Sequence, residues 1–93
     1  MGSRAMTEGQ LLHQLVGIFR EVFGDPALAV DADTTSADIA RWDSMSQVTL
    51  AMVIEERLGV TFSAAEMEEL SSVRRIVGML MPRLPEAHAA AGA

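Results

Sequence analysis

The residues best placed to do chemistry in this sequence are a serine and the aspartate before it. Asp43 and Ser44 stand directly ahead of a helical apolar pattern, where aspartate is a common N-cap. The first turn of a helix offers unpaired N–H groups and a partial positive charge, which suit a phosphate ester. Ordinary helix capping also explains an Asp-Ser pair, so the pair alone does not decide between the two.

The other reactive side chains do not form a recognisable catalytic or metal site. A serine hydrolase needs a base beside its nucleophile, and the chain offers only His13 and His88, without a Gly-x-Ser-x-Gly motif. Asp31, Asp33 and Asp38 lack the glycine and terminal glutamate of a calcium loop. We therefore expect no enzymatic activity and no metal.

The composition excludes several further classes of function. The 93 residues carry 13 acidic and 7 basic side chains, a net charge of -6, which disfavours nucleic acid and anionic lipid as partners. Cysteine is absent, so any sulfur chemistry requires a thiol supplied from outside the chain. No apolar run is long enough for a membrane span or a secretory signal. We expect a cytoplasmic monomer that does not insert into membranes.

The apolar spacing predicts a single all-α domain, a four-helix bundle with three longer helices and one short helix. Thr7 with Gln10, Asp43, and Ser63 with Glu66 are predicted N-terminal caps. A long polar loop is expected between the first and second helices. The predicted helices are 7–23, 44–58, 63–70 and 71–81.

Expectations also concern the chain ends and one glycine. Residues 1–6 are predicted to be a tag or a disordered N-terminus, 7–81 the helical domain, and 82–93 a disordered tail. Gly17 lies inside the first helix, where glycine is unfavourable by about 1 kcal/mol relative to alanine. We therefore expect a neighbouring element to approach closely at Gly17.

The second helix carries two apolar stripes, whereas a bundle helix needs only one. At about 100° per residue, one stripe contains Gln47, Leu50, Ala51, Ile54 and Leu58, which suits the core. The second stripe lies on another side of the helix, near Glu55 and Glu56. Either the helix is covered on two sides, or the second stripe is a docking surface. The second stripe consists of Met45, Val48 and Met52.

The sequence resembles the acyl carrier protein family over about residues 11–80. The resemblance rests on Trp-Asp-Ser-Met at 42–45, Val-Thr-Leu-Ala-Met at 48–52, Ile-Glu-Glu-Arg-Leu-Gly-Val at 54–60 and Ser-Val at 72–73. It implies that Ser44 receives covalent 4'-phosphopantetheine from coenzyme A and that Asp43 helps to present the site. A thiol on this arm would hold acyl groups as thioesters, which is compatible with a chain that has no cysteine.

The resemblance also implies partners and the surfaces that meet them. The expected partners are a phosphopantetheinyl transferase and enzymes that load, transfer or condense acyl groups, with catalysis left to those enzymes. The expected partner-binding residues are Trp42, Met45, Val48, Met52, Glu55 and Glu56. The expected lining of an acyl-chain site between the helices is Leu50, Ile54, Phe62 and Ile76, which plain core packing explains equally well.

Departures from the family pattern point to a specialised fatty-acid or polyketide-type pathway. Trp42 precedes the Asp-Ser pair as in discrete carriers of secondary pathways, and Thr49 stands where housekeeping carriers have an acidic docking residue.

Two alternatives remain open. One is an unmodified helical adaptor or degenerate carrier that acts only by protein binding, and the other is a peptidyl or aminoacyl carrier, whose usual Gly-Gly motif is missing before Asp43.

Overall fold

A computed structural model of the chain describes residues 6–84 and confirms the all-α bundle. Within this range there is no strand, and only an isolated antiparallel bridge joins Thr35 to Ser72. The predicted proportions are also confirmed, because a long loop separates the first two helices and the third helix is short. The helices are α1 (Glu8–Phe23), α2 (Ser44–Leu58), α3 (Ala64–Met67) and α4 (Val73–Leu80), followed by a 3₁₀ turn (Met81–Arg83).

Local capping sets the ends of α1. The Thr7 hydroxyl accepts a hydrogen bond from the Gln10 backbone N–H at 3.0 Å, and the Gln10 side chain accepts one from the Thr7 N–H at 2.9 Å. Gly24 ends the helix with φ 65°, a left-handed conformation that glycine adopts without steric cost. The predicted capping box and terminating glycine are both confirmed.

The core lies where one face of each longer helix meets the others. The buried face of α2 consists of Leu50, Ala51, Ile54 and Leu58, as its first stripe predicted. It packs with buried aliphatic and aromatic side chains of α1 and α4 and of the connecting loops. The α1 and α4 contributions are Leu11, Leu15, Ile18, Phe19, Phe23, Val73, Ile76, Val77 and Leu80.

The long loop between α1 and α2 is tied to the start of α4. The Thr34 carbonyl accepts a hydrogen bond from the Val73 N–H at 2.9 Å, and the Ser36 N–H donates to the Ser71 carbonyl at 2.8 Å. At the far end of the loop, Arg41 donates to the Phe23 carbonyl at 2.6 Å. The segment that leads into α2 is therefore fixed at both ends.

The packed domain extends beyond its predicted boundaries at both ends. Met6 packs against the core, and Leu84 is only 1% exposed. The prediction that the disordered tail begins at residue 82 is therefore wrong for 82–84, because Leu84 has apolar surface to bury. The remaining parts of the terminal predictions, residues 1–5 and 85–93, lie outside the described residues.

The expected close approach at Gly17 is also wrong. A Cβ atom placed on Gly17 would meet nothing within 4 Å, and the residue is exposed. No neighbouring element explains this glycine. Across residues 6–84, no helix is both long and apolar enough to cross a bilayer.

Candidate functional site

Ser44 is the first residue of α2, and its side chain is exposed. The preceding Asp43 caps the helix, since its carboxylate accepts from the Ser46 N–H at 3.0 Å. The Ser46 hydroxyl in turn accepts from the Asp43 N–H at 2.7 Å. Hydrogen bonding from the Ser46 backbone lowers the pKa of the Asp43 carboxyl. Asp43 is therefore an anionic cap that fixes the turn carrying Ser44.

Ser46 has a role that the sequence pattern did not identify. It occupies the third helical position, where glutamate or glutamine usually completes a capping box. A serine at this position closes the same pair of hydrogen bonds with a shorter side chain. The spacing from Asp43 is the signal that could have predicted it.

The buried side chain of Trp42 anchors the segment that leads into α2. Its side chain is 4% exposed, and its ring packs edge-to-face on Phe19 with 4.9 Å between ring centroids. Its indole Nε1 donates to the Leu70 carbonyl at 3.0 Å. The expectation that Trp42 belongs to the partner surface needs correction, because its aromatic surface and its only side-chain donor are already used within the core.

Gln47 donates to the same carbonyl from the other side of Ser44. Its Nε2 lies 3.0 Å from the Leu70 oxygen, and the side chain is half-buried. The link between α3 and α4 is thus bonded both to the residue before the Asp-Ser pair and to the first turn of α2. This connection holds the serine-bearing turn against the link between α3 and α4.

A groove of about 300 Å³ opens beside Ser44, between α2 and α3. Val48 and Met67 supply apolar surface on its two sides, while Gln47 and Glu68 supply polar groups. The sequence did not identify the α3 residues of this groove, because nothing in their local pattern indicates that α3 lies beside the start of α2. The lining residues are Ser44, Gln47, Val48, Ala64, Met67 and Glu68.

The predicted second stripe of α2 faces away from the core. Met45, Val48 and Met52 are 80%, 47% and 59% exposed, and they are the large hydrophobic side chains exposed among residues 6–84. Within this range no element covers the stripe, so the idea of a helix buried on two sides is wrong. Its role as a docking surface stays a prediction.

The two glutamates beside the stripe differ in their surroundings. Glu55 is half-buried, and its Oε2 accepts from the Phe62 N–H at 2.8 Å. Glu56 is exposed. Glu55 therefore closes the connection between α2 and α3 whatever else it does, whereas the carboxylate of Glu56 points to solvent.

The residues predicted to line an acyl-chain site lie in the packed core. Leu50, Ile54 and Ile76 are 0% exposed and Phe62 is 4% exposed. None of the four lines the groove beside Ser44. Their role in contacting an acyl chain stays a prediction.

The 3₁₀ turn that follows α4 holds α3 in position. Glu66 accepts from the Ser63 N–H at 2.9 Å and is paired with the guanidinium of Arg83. Hydrogen bonding from Arg83, followed by that from the Ser63 backbone, lowers the pKa of Glu66 to about 2. The same pairing raises the pKa of Arg83. One wall of the groove is therefore fastened by a residue that lies beyond α4.

Metal chemistry gains no support in this region. Among residues 6–84, no three His, Cys, Asp or Glu side chains lie close enough together to hold a metal ion.

Comparison with known proteins gives three consistent findings. Residues 13–80 match the family described as "Phosphopantetheine attachment site". The chain is 26% identical over 76 residues to an acyl carrier protein of Thermobifida fusca (strain YX), covering 82% of this chain and 96% of that protein. It is similar to the solution structure of a holo acyl carrier protein from Geobacter metallireducens, with a TM-score of 0.71 and 28% identity, covering 85% of this chain and 90% of the other.

Proposed function

This chain belongs to the phosphopantetheine-binding acyl carrier protein family, and on that premise we propose that Ser44 is the residue that receives the arm. As a member of this family it is a carrier with covalent 4'-phosphopantetheine as its cofactor, and it is not itself an enzyme. Its partners include a phosphopantetheinyl transferase and enzymes that handle acyl groups. The proposals that follow concern the residues and the pathway.

The observation that carries the assignment is the exposed Ser44 at the first position of α2 with its own groove alongside. The residues around Ser44 fit a phosphopantetheine group. The helix start suits the anionic ester, and the mixed lining of Gln47, Val48 and Met67 suits a chain that contains both methyl and amide groups. When bound, the arm supplies the thiol that carries an acyl group as a thioester.

The neighbours of Ser44 hold the serine rather than act on it. Asp43 ties the first turn together through Ser46, and Trp42 ties the preceding segment to Leu70 and Phe19. A fixed backbone presents the hydroxyl at a constant position to a transferase, which reduces the ordering needed for reaction. We therefore assign positioning roles to Asp43 and Trp42.

The exposed stripe of α2 is the proposed contact surface for partner enzymes. Met45, Val48 and Met52 give an adaptable apolar patch, a property that suits a surface visited by several partners in turn. Glu56 lies at its edge and favours partners with arginine or lysine around their binding sites. Glu55 also borders the patch, but its bond to Phe62 leaves less of its carboxylate for a partner.

The neutral start of α2 supports a specialised fatty-acid or polyketide-type pathway. The first turn of α2 carries no acidic side chain, and Thr49 one turn later is neutral. A partner that relies on carboxylates at these positions would meet hydroxyl and amide groups instead. We propose that the protein acts as a cytoplasmic monomer with enzymes dedicated to its own pathway.

Mass spectrometry separates a carrier from an unmodified adaptor. The protein is incubated with coenzyme A and a promiscuous phosphopantetheinyl transferase, and its intact mass is measured. We expect wild type and a Ser46→Ala variant to gain one arm and Ser44→Ala to gain none, with circular dichroism confirming that each variant is folded. A wild type without the arm, or a Ser44→Ala variant that gains it, would refute the assignment.

A further inference from the structure

Two side chains, one before and one after Ser44 in the sequence, donate to the same backbone oxygen. Trp42 lies two residues before the serine and Gln47 three residues after it, and both donate to the Leu70 carbonyl at 3.0 Å. Leu70 lies three residues beyond Met67, which lines the groove. The carbonyl therefore links the serine-bearing turn to the α3 wall of the groove.

The two donors differ in how easily each can give up its hydrogen bond to the Leu70 carbonyl. Trp42 is 4% exposed and has a single N–H, so breaking its bond would strand a buried donor. Gln47 is half-buried, lines the groove, and has two N–H bonds and a carbonyl for new partners. If Gln47 leaves, the Leu70 oxygen still accepts from Trp42. Trp42 is thus the permanent donor and Gln47 the exchangeable one.

We propose that Gln47 is an arm-binding residue whose side-chain amide leaves Leu70 and donates to an amide carbonyl of the phosphopantetheine arm lying in the groove. The inference rests on the proposed modification of Ser44. Carbonyl oxygens of the arm lose water contacts when they enter a groove, and they need a protein donor in exchange. Among the lining side chains, Gln47 is the one with an N–H to offer, because the others are hydroxyl, apolar or carboxylate groups.

The composition of the chain makes this exchange directly observable by NMR. The sequence contains three glutamines, no asparagine and one tryptophan. A ¹⁵N–¹H spectrum therefore has three side-chain amide pairs and one indole signal. Gln10 and Gln14 lie on α1 and serve as internal references for Gln47. The spectra to compare are those of the unmodified protein and of the holo protein, with loading verified by intact mass.

A third sample separates the effect of the amide groups of the arm from the effect of the phosphodiester charge. A coenzyme A analogue with an alkyl chain beyond the phosphate places the same phosphodiester on the protein without amide groups. We expect the Gln47 pair to move severalfold more than the Gln10 and Gln14 pairs in the holo protein, and much less with the alkyl analogue. The Trp42 indole signal should move less than the Gln47 pair in the holo protein, because its bond to Leu70 remains.

A pair of variants tests the same inference by its effect on the arm. Gln47→Met keeps the length of the side chain and removes its donors, and Gln14→Met is the matched change on the exposed face of α1. In the holo proteins, we expect nuclear Overhauser contacts between the arm and the Met67 methyl group in wild type and Gln14→Met. These contacts should be lost in Gln47→Met.

Three results would overturn the inference. They are an unmoved Gln47 pair, an equal shift of this pair with the alkyl analogue, or an indole signal that moves as far as the Gln47 pair. Retention of the Met67 contacts in Gln47→Met would also contradict it. Failure of the wild type to gain any arm is a different outcome, visible by mass before NMR, and it would refute the modification of Ser44 instead.

Discussion

Replacing Trp42 with phenylalanine should destabilise the protein strongly. Trp42 is buried, although the Asp-Ser pair that follows it is exposed. The phenyl ring keeps the edge-to-face contact with Phe19 and loses the indole N–H that donates to Leu70. Loss of one buried hydrogen bond costs about 1 kcal/mol. The space left by the smaller ring in a core position adds about 1–2 kcal/mol. The expected loss is therefore about 2–3 kcal/mol.

This loss is large for a small domain. For a chain of this size it corresponds to a decrease in melting temperature of about 10–20 °C. Urea denaturation followed by circular dichroism at 222 nm measures the free energy of unfolding. Met45→Ala is the matched control on the exposed side, because Met45 is 80% exposed and its truncation should change the stability by less than about 0.5 kcal/mol.

The comparison of the two variants decides between a buried anchor and a surface residue. If Trp42→Phe changes the free energy of unfolding by no more than Met45→Ala does, the Trp42 side chain is not anchored between Phe19 and Leu70. The positioning role proposed for Trp42 would then be wrong.

Three further predictions concern stability, pH and docking. Gly17→Ala should raise the free energy of unfolding by about 0.5–1 kcal/mol, since the site is helical and open; a decrease in urea denaturation would contradict this. The Glu66 contribution to stability should be complete above pH 4.5 and lost as the pH falls towards 2, because its pKa is lowered on folding. Acid titration of stability should therefore be flatter in Glu66→Gln over this interval, and parallel curves would argue against the Arg83 pairing. Met52→Glu should slow acyl transfer with a cognate enzyme severalfold while Gln14→Glu does not, and equal rates in matched assays would exclude the stripe as the docking surface.

Short-range patterns in the sequence were sufficient to predict the order of the helices and the bounds of α1 and α2, whereas α3 ends at Met67 rather than at residue 70. Thr7 with Gln10 and Ser63 with Glu66 form their capping boxes within four residues, and Gly24 ends α1 through its own backbone conformation. The two stripes of α2 follow from helical geometry alone, and so does the burial of the first, whereas the geometry leaves open whether the second is covered or exposed. These features depend on neighbours in the chain.

Apart from the capping role of Ser46, the missed features depend on residues that are distant in sequence. Trp42 and Leu70 are 28 positions apart, and nothing near Trp42 indicates whether an indole meets solvent or a buried carbonyl. Arg83 and Leu84 contact the bundle from beyond the last helical pattern, so local periodicity ends the domain too early. The groove depends on where α3 packs against α2, and local propensity does not determine the packing of such a short helix.

The most direct test of the central claim is the position of the arm on the loaded protein. Cleavage at Arg41 and Arg57 releases the peptide 42–57, which contains both Ser44 and Ser46. Tandem mass spectrometry of this peptide assigns the modification to one residue. The structure predicts that the fragment ions place phosphopantetheine on Ser44. An arm on Ser46, or a peptide that stays unmodified after complete reaction of a control carrier, would contradict the account.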